Sequence, residues 1–188
     1  MLSTVSMSLS TTHRPARRRS ADAVTSSVDS IRRLVRVLRV AAQRTQAAAG
    51  VSAAQLFVLQ QLRDDNALSV NELAARTLTD RSSVADVVDR LSAQGLVTRE
   101  VDAADRRRAA VRITAAGRRT LSRAPDAPTT MLIAGLRSLP LREQTALARS
   151  LERLHRAMGT SDEPATMLFA DADERSRTRR APHRTAHP

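Results

Sequence analysis

Most of this chain carries apolar residues at helical spacing, and one short region carries them at strand spacing. Between residues 26 and 48, Val28, Ile31, Val35, Leu38 and Ala42 recur at alternating intervals of three and four. Leu34, Val37 and Ala41 widen that stripe, and Arg32, Arg33, Arg36, Arg39 and Arg44 lie largely off it. The pattern predicts an amphipathic helix whose apolar face needs a partner. Gly50 ends it, and Ser52 is placed to cap a second helix from Ala53 to Leu62 with Leu56, Phe57, Leu59 and Leu62 apolar. Phe57 fits the core of that helix better than a ligand contact. Asp64, Asp65 and Asn66 then make a turn.

The stretch from Leu68 to Thr114 organises the rest. Ser69 and Glu72 have capping-box spacing ahead of a helix whose apolar positions are Val70, Leu73 and Ala74. Thr79 or Asp80 can cap the next helix, in which Val84, Val87, Val88 and Leu91 share one face and Gly95 is the stop. Arg81, Ser82, Ser83, Ala85, Asp86 and Asp89 fall on the opposite face. Two strand-compatible runs follow, Leu96 to Thr98 and Val111 to Thr114, around a tip that holds Asp102, Asp105 and the triplet Arg106, Arg107 and Arg108. Two helices with a tight connection and an arginine-tipped hairpin make a winged helix-turn-helix. The N-terminal end of a recognition helix reads base edges in the major groove, and an arginine-bearing tip suits the enhanced negative potential of a narrow minor groove.

Thr114 can cap a helix running through Leu121, but Pro125 and Pro128 must interrupt it, because a proline in a helix interior removes a hydrogen bond and clashes with the preceding turn. A break near residues 124–126 and a further helix from about Ala127 to Ser138 are expected. Pro140 and Glu143 open a last helix with Leu141, Leu147, Leu151, Leu154 and Met158 in its stripe.

Charge sharpens the picture. The formal net charge is +12, all 31 Lys/Arg positions are arginine, and arginine grips phosphate through two oxygens at once. Eight of these arginines lie between Arg99 and Arg123, against only Glu100, Asp102 and Asp105, so positive charge concentrates around the hairpin. Residues 1–25 have four arginines, Arg17, Arg18 and Arg19 among them, and no long apolar run; a disordered basic arm is expected, with neither signal peptide nor membrane span, and hence a cytoplasmic location. Residues 160–188 are polar and balanced in charge, and disorder is expected there too; Met167, Leu168 and Phe169 form a small apolar cluster of little weight. Phe57 and Phe169 are the only aromatic residues, which disfavours single-strand binding through stacked bases.

The segment DRLSAQGLVTREVDAADRRRAAVRITAAG, Asp89 to Gly117, resembles the signature of the multiple-antibiotic-resistance-regulator (MarR) family. In that family D-R-L-x-x-x-G-L-V-x-R closes the recognition helix and an Asp- and Arg-rich wing leads to V-x-[LI]-T-x-x-G. Ala103 departs from the pattern, standing where a proline is frequent, and the Pro125/Pro128 interruption replaces one longer helix. The resemblance implies a mainly α fold with a small β-wing. A winged helix-turn-helix over about 52–114 would sit between dimerisation helices at about 26–48 and 115–159, within a domain spanning 26–159. It implies a homodimer, a double-stranded DNA partner and, for many members, release by a small aromatic or phenolic effector bound between dimer base and reading head.

The functional expectation is a sequence-specific transcriptional regulator, in the family commonly a repressor, on a pseudo-palindromic operator with half-sites roughly 10 bp apart. Arg81, Ser82, Ser83 and Asp86 are the major-groove candidates and Arg106 or Arg107 the minor-groove ones, while Arg76, Arg99, Arg108 and Arg112 would meet phosphate or support the wing. Asp102 and Asp105 would brace the wing by pairing with arginines, as the resemblance implies. The alternatives are a ligand-independent architectural DNA-binding protein and a winged helix used only for protein contacts. The chain has no cysteine, no H-E-x-x-H, no glycine-rich phosphate loop and no nucleophile elbow. His13, His183 and His187 lie in the tails and His155 on the last helix, so neither an enzyme nor a cofactor or metal is expected.

Overall fold

The computed structural model of the chain describes residues 16–64, 67–101, 109–162 and 166–170. Its contacts fall into two units, one ending at Val37 and one beginning at Leu38. Helix α1 (Ala16–Ala49) contains all of the first unit's described residues. It starts well before residue 26, because nothing between Ala16 and Thr25 is a glycine or proline to stop it. Arg17, Arg18 and Arg19 therefore lie in helix and not in an arm. Within this unit Asp29 accepts from Arg32 at 3.1 Å, and Val24, Val28, Ile31, Leu34, Val35 and Val37 are all exposed.

The second unit opens with the end of α1 and continues through α2 (Ala53–Gln61), β1 (Leu68–Ser69), α3 (Val70–Thr77), α4 (Arg81–Ala93), β2 (Val97–Val101), β3 (Ala109–Ile113), α5 (Ala115–Arg123), α6 (Pro128–Ser138) and α7 (Leu141–Met158). The caps are those the sequence suggests. Ser52 and Gln55 form a reciprocal box at 3.2 and 2.9 Å, as do Ser69 and Glu72 at 3.2 and 2.7 Å. Asp80 caps α4 and Thr114 caps α5. The proline break falls between Arg123 and Pro128: Ala124 turns to extended backbone, and Pro128 occupies the first turn of α6, where its missing N–H costs nothing.

The core lies under the winged helix-turn-helix. Leu56, Val58, Leu59 and Leu62 of α2 and its cap pack with Leu73 of α3 and with Val84, Val87, Val88 and Leu91 of α4; Val97, Val111 and Ile113 close it from the sheet. Residues 53–59 are all buried, so α2 is surrounded and not amphipathic. The sheet has order β1-β3-β2, all antiparallel, with Leu68 opposite Val111 and Thr98 opposite Arg112. The hairpin strands reach further toward the tip than the expected runs, to Val101 and from Ala109, and Thr114 leaves the ladder to cap α5. Strand β1 was not expected: two residues are too few to show alternation, and it exists because β3 offers a free edge.

Two further differences matter. Part of the stretch expected to be disordered from residue 160 is docked: Met167 is buried in the core cluster, and Arg90 of α4 donates to the Ala170 carbonyl at 2.9 Å. Conversely α7 buries none of its residues, and Leu141, Leu147, Leu151, Leu154 and Met158 are exposed along its stripe.

Candidate nucleic-acid interface

The geometry of the site is set at the junction of α3 and α4. Leu78 ends α3 in the left-handed region (φ 55°), and Thr79 N donates back to the Ala74 carbonyl at 3.1 Å. This reverses the chain within three residues, so that Asp80 stands at the start of α4 with its carboxylate over the free N–H groups. One oxygen of Asp80 accepts from Ser83 N at 2.8 Å and from the Ser82 hydroxyl at 2.6 Å; the other accepts from the Ser83 hydroxyl at 2.6 Å. Chiefly the Ser82 hydroxyl, then the Ser83 hydroxyl and N–H, hold the Asp80 carboxyl down at about 2. It is therefore ionised at any ordinary pH and complements the positive end of the helix.

Both serine protons are committed to Asp80, so Ser82 and Ser83 present lone pairs outward and act as acceptors in this state. Arg81 and Asp86 are exposed on the same end of α4, while Val84, Val87 and Val88 face the core. The first two turns of α4 thus offer a guanidinium donor, two hydroxyl acceptors and a carboxylate acceptor on a rigid, capped helix end.

The expected phosphate-binding arginines are tied to the scaffold. Arg99 of β2 pairs with Asp89 of α4 at 2.5 Å, linking the wing to the exposed face of the recognition helix. Arg112 of β3 pairs across the strands with Glu100 at 3.0 Å, and Arg76 donates to the Gln61 carbonyl at the end of α2 at 3.3 Å. Exposed pairs of this kind contribute about 0–1 kcal/mol each, so they orient side chains more than they stabilise the fold. Arg106, Arg107, Arg108, Asp102 and Asp105 lie outside the described residues. The sequence does not point to Asp89 and Glu100 as arginine partners, because neither spacing is one at which a helix or strand brings side chains together by itself. Asp80 was recognised as a cap, but its hold on both serine hydroxyls needs the three-dimensional turn.

Among the described residues no group of three or more His, Cys, Asp or Glu side chains is placed to hold a metal ion, and no helix is long and apolar enough to cross a membrane. A cavity of about 180 Å³ lies beside the α3–α4 turn, walled by Phe57, Thr77, Leu78, Ile133, Met167 and Leu168 among others.

A model of the MarR family matches residues 49–108, from the entry to α2 to the residue before β3, about a third of the chain. The HTH-type transcriptional regulator TtmR of Methylorubrum extorquens is 30% identical over 115 residues, which covers 59% of this chain and 58% of that protein, so the likeness spans a little over half of the relative's length. Among solved structures, a MepR-like protein complexed with pseudoligands is 25% identical with a TM-score of 0.49, covering 73% of this chain and 94% of that one. BpsR of Bordetella bronchiseptica, whose DNA binding is regulated by 6-hydroxynicotinic acid, is 29% identical with a TM-score of 0.47, covering 67% and 90%. The likeness to the MarR family of transcriptional regulators thus lies in residues 49–108 and in the partial relatives above, and it is centred on the helix-turn-helix.

Proposed function

We propose that the protein is a sequence-specific, double-stranded DNA-binding regulator, a repressor acting as a homodimer on a pseudo-palindromic operator. The observation that carries this reading is the N-terminal end of α4: a capped, solvent-facing helix end that presents Arg81, Ser82, Ser83 and Asp86, beside a wing rich in arginine. Arg81 suits the paired acceptors of guanine, while the serine lone pairs and Asp86 suit exocyclic amino groups. Arg106 or Arg107 would enter the minor groove and Arg108 a phosphate, with Asp102 and Asp105 bracing the tip. Arg99 and Arg112 support the wing through Asp89 and Glu100, and with Arg76 are within the charge field that attracts phosphate.

The dimer is supported by apolar surface. The stripe of α7 and, separately, that of α1 leave Leu151, Leu154, Ile31 and Val35 more than 40% exposed, which a folded monomer does not sustain over whole helices. A small aromatic or phenolic effector is part of the same proposal.

Selection of bound duplexes from a random pool tests it. A two-fold symmetric consensus with half-sites roughly 10 bp apart is expected; continuous, sequence-independent coverage would instead favour an architectural role. On the selected duplex, Arg106→Ala should weaken binding and make the slope of log affinity against log salt shallower by about 0.9. An unchanged affinity and slope would remove Arg106 from the interface.

A further inference from the structure

We propose that the C-terminal segment Thr166–Ala170 is a strap that holds the recognition helix in its reading position, tying α4 to α2 and α6. Three observations converge on it. Met167 is 5% exposed and belongs to the core cluster with Phe57, Val84 and Leu91, although it lies far along the chain from all of them. The Arg90 guanidinium reaches from α4 to the Ala170 carbonyl at 2.9 Å, a bond that spans 80 positions of sequence. Phe169 sits in the left-handed region at φ 65°, and Ala170 N closes the turn by donating to the Met167 carbonyl at 3.2 Å.

The backbone geometry is the most telling of these. A phenylalanine in the left-handed region is strained, and such strain persists only where surrounding contacts over-determine it. The described residues hold one other positive-φ non-glycine, Leu78 in the α3–α4 turn. Leu78 and the Thr166–Leu168 stretch wall the same cavity of about 180 Å³. The strained turn that aims α4 and the strained turn that closes the strap thus face one space. Ile133 of α6 and Phe57 of α2 line it as well, so the strap shares this space with both of those helices.

The strap acts by pre-organisation. It bears no cation in Thr166–Ala170 and adds nothing to phosphate binding. It limits the positions open to α4 before DNA arrives, and so spares the ordering that binding would otherwise have to impose. Met167 and Arg90 are therefore positioning residues.

Hydrogen exchange of the full chain, without DNA, tests the strap independently of what the helix reads. Met167→Asp should speed exchange of the amides from Leu78 to Val84 by about tenfold, while the amides of Leu56 and Leu59 change by less than about twofold. Met167→Leu should leave both sets alone. Arg90→Gln removes the tie without opening the core, so it remains informative if Met167→Asp fails to fold; about threefold faster exchange over the same turn is expected. An unchanged turn, or a uniform rise across α2 and α4, overturns the proposal. On a selected duplex, the Arg90 variant should bind more weakly with the salt slope of the parent, since no phosphate contact is lost; a shallower slope would show that Arg90 touches DNA and is no strap anchor.

Discussion

Gly117 gives the sharpest test of how the wing is joined to the rest of the fold. It lies in the first turn of α5, where its N–H donates to the Thr114 hydroxyl at 3.0 Å. Helix propensity alone favours alanine there by up to about 1 kcal/mol. Yet a Cβ at Gly117 would stand 2.2 Å from the Leu96 carbonyl oxygen and 2.8 Å from Ile113 Cγ1. The first contact is with backbone, which cannot swing aside, and it calls for a displacement of about an ångström to reach ordinary van der Waals separation. The same oxygen accepts from Thr114 N at 3.0 Å and from the Thr114 hydroxyl at 3.1 Å, so moving it loosens the cap of α5 and the end of the hairpin together. Overpacking costs about 1–3 kcal/mol and each weakened hydrogen bond about 1 kcal/mol. The clash outweighs the propensity gain, and Gly117→Ala should lose about 1–3 kcal/mol. Gly135, midway along α6, is the control: it has ordinary helical backbone and nothing within 4 Å of its notional Cβ, so Gly135→Ala should gain up to about 1 kcal/mol. Urea unfolding at a common slope measures both. If Gly117→Ala matches or exceeds the parent's midpoint, the close approach of α5 to Leu96 is not as described.

Other expectations follow from the same geometry. The Asp80 carboxyl is depressed from 3.8 to about 2 by the Ser82 and Ser83 hydrogen bonds, so its ionised form favours the folded state. That contribution is complete above the unfolded value and is lost as pH falls from about 4 through about 2. Asp80→Asn keeps a capping acceptor and should flatten stability across that window; parallel losses in parent and variant would show that the serine contacts do not hold the carboxylate. Leu151→Glu places a charge on the exposed stripe of α7, where Leu151 is 46% exposed and no folding cost is expected, and should shift the sedimenting species from dimer to monomer. An unchanged mass would mean that α7 is not at the interface.

The recognition helix was legible because every local signal agreed there. Asp80 as cap, the 84-87-88-91 stripe and Gly95 as stop all specify the same element, and Gly95 does take a positive φ. The break before Pro128 was legible for the same reason: proline's effect is local. What stayed hidden depends on residues distant in sequence. Two residues at Leu68–Ser69 become a strand only because β3 passes beside them, and nothing local shows that Met167, one of three apolar residues in an otherwise polar tail, packs into the core cluster. The early start of α1 was missed for a different reason. A run rich in Ser, Thr and Arg looks like an unstructured arm by composition, but from Ala16 onward it contains no residue that opposes helix.

The burial pattern also limits where the specificity of assembly can lie. The winged helix-turn-helix buries Leu56, Leu59, Leu73, Val88 and Leu91 to 0% exposure and is satisfied within one chain, whereas α7 buries nothing. Covering Leu147, Leu151, Leu154 and Met158 on two copies returns on the order of 10 kcal/mol, because each is partly covered already and full burial of such a side chain is worth about 1.5–3 kcal/mol. Association consumes about 4–15 kcal/mol before any net affinity appears. The α7 stripe alone is therefore marginal, and a stable pair requires further apolar surface. The stripe of α1, taken by itself, is also apolar and exposed, with Val28, Ile31 and Val35 at 38–44%.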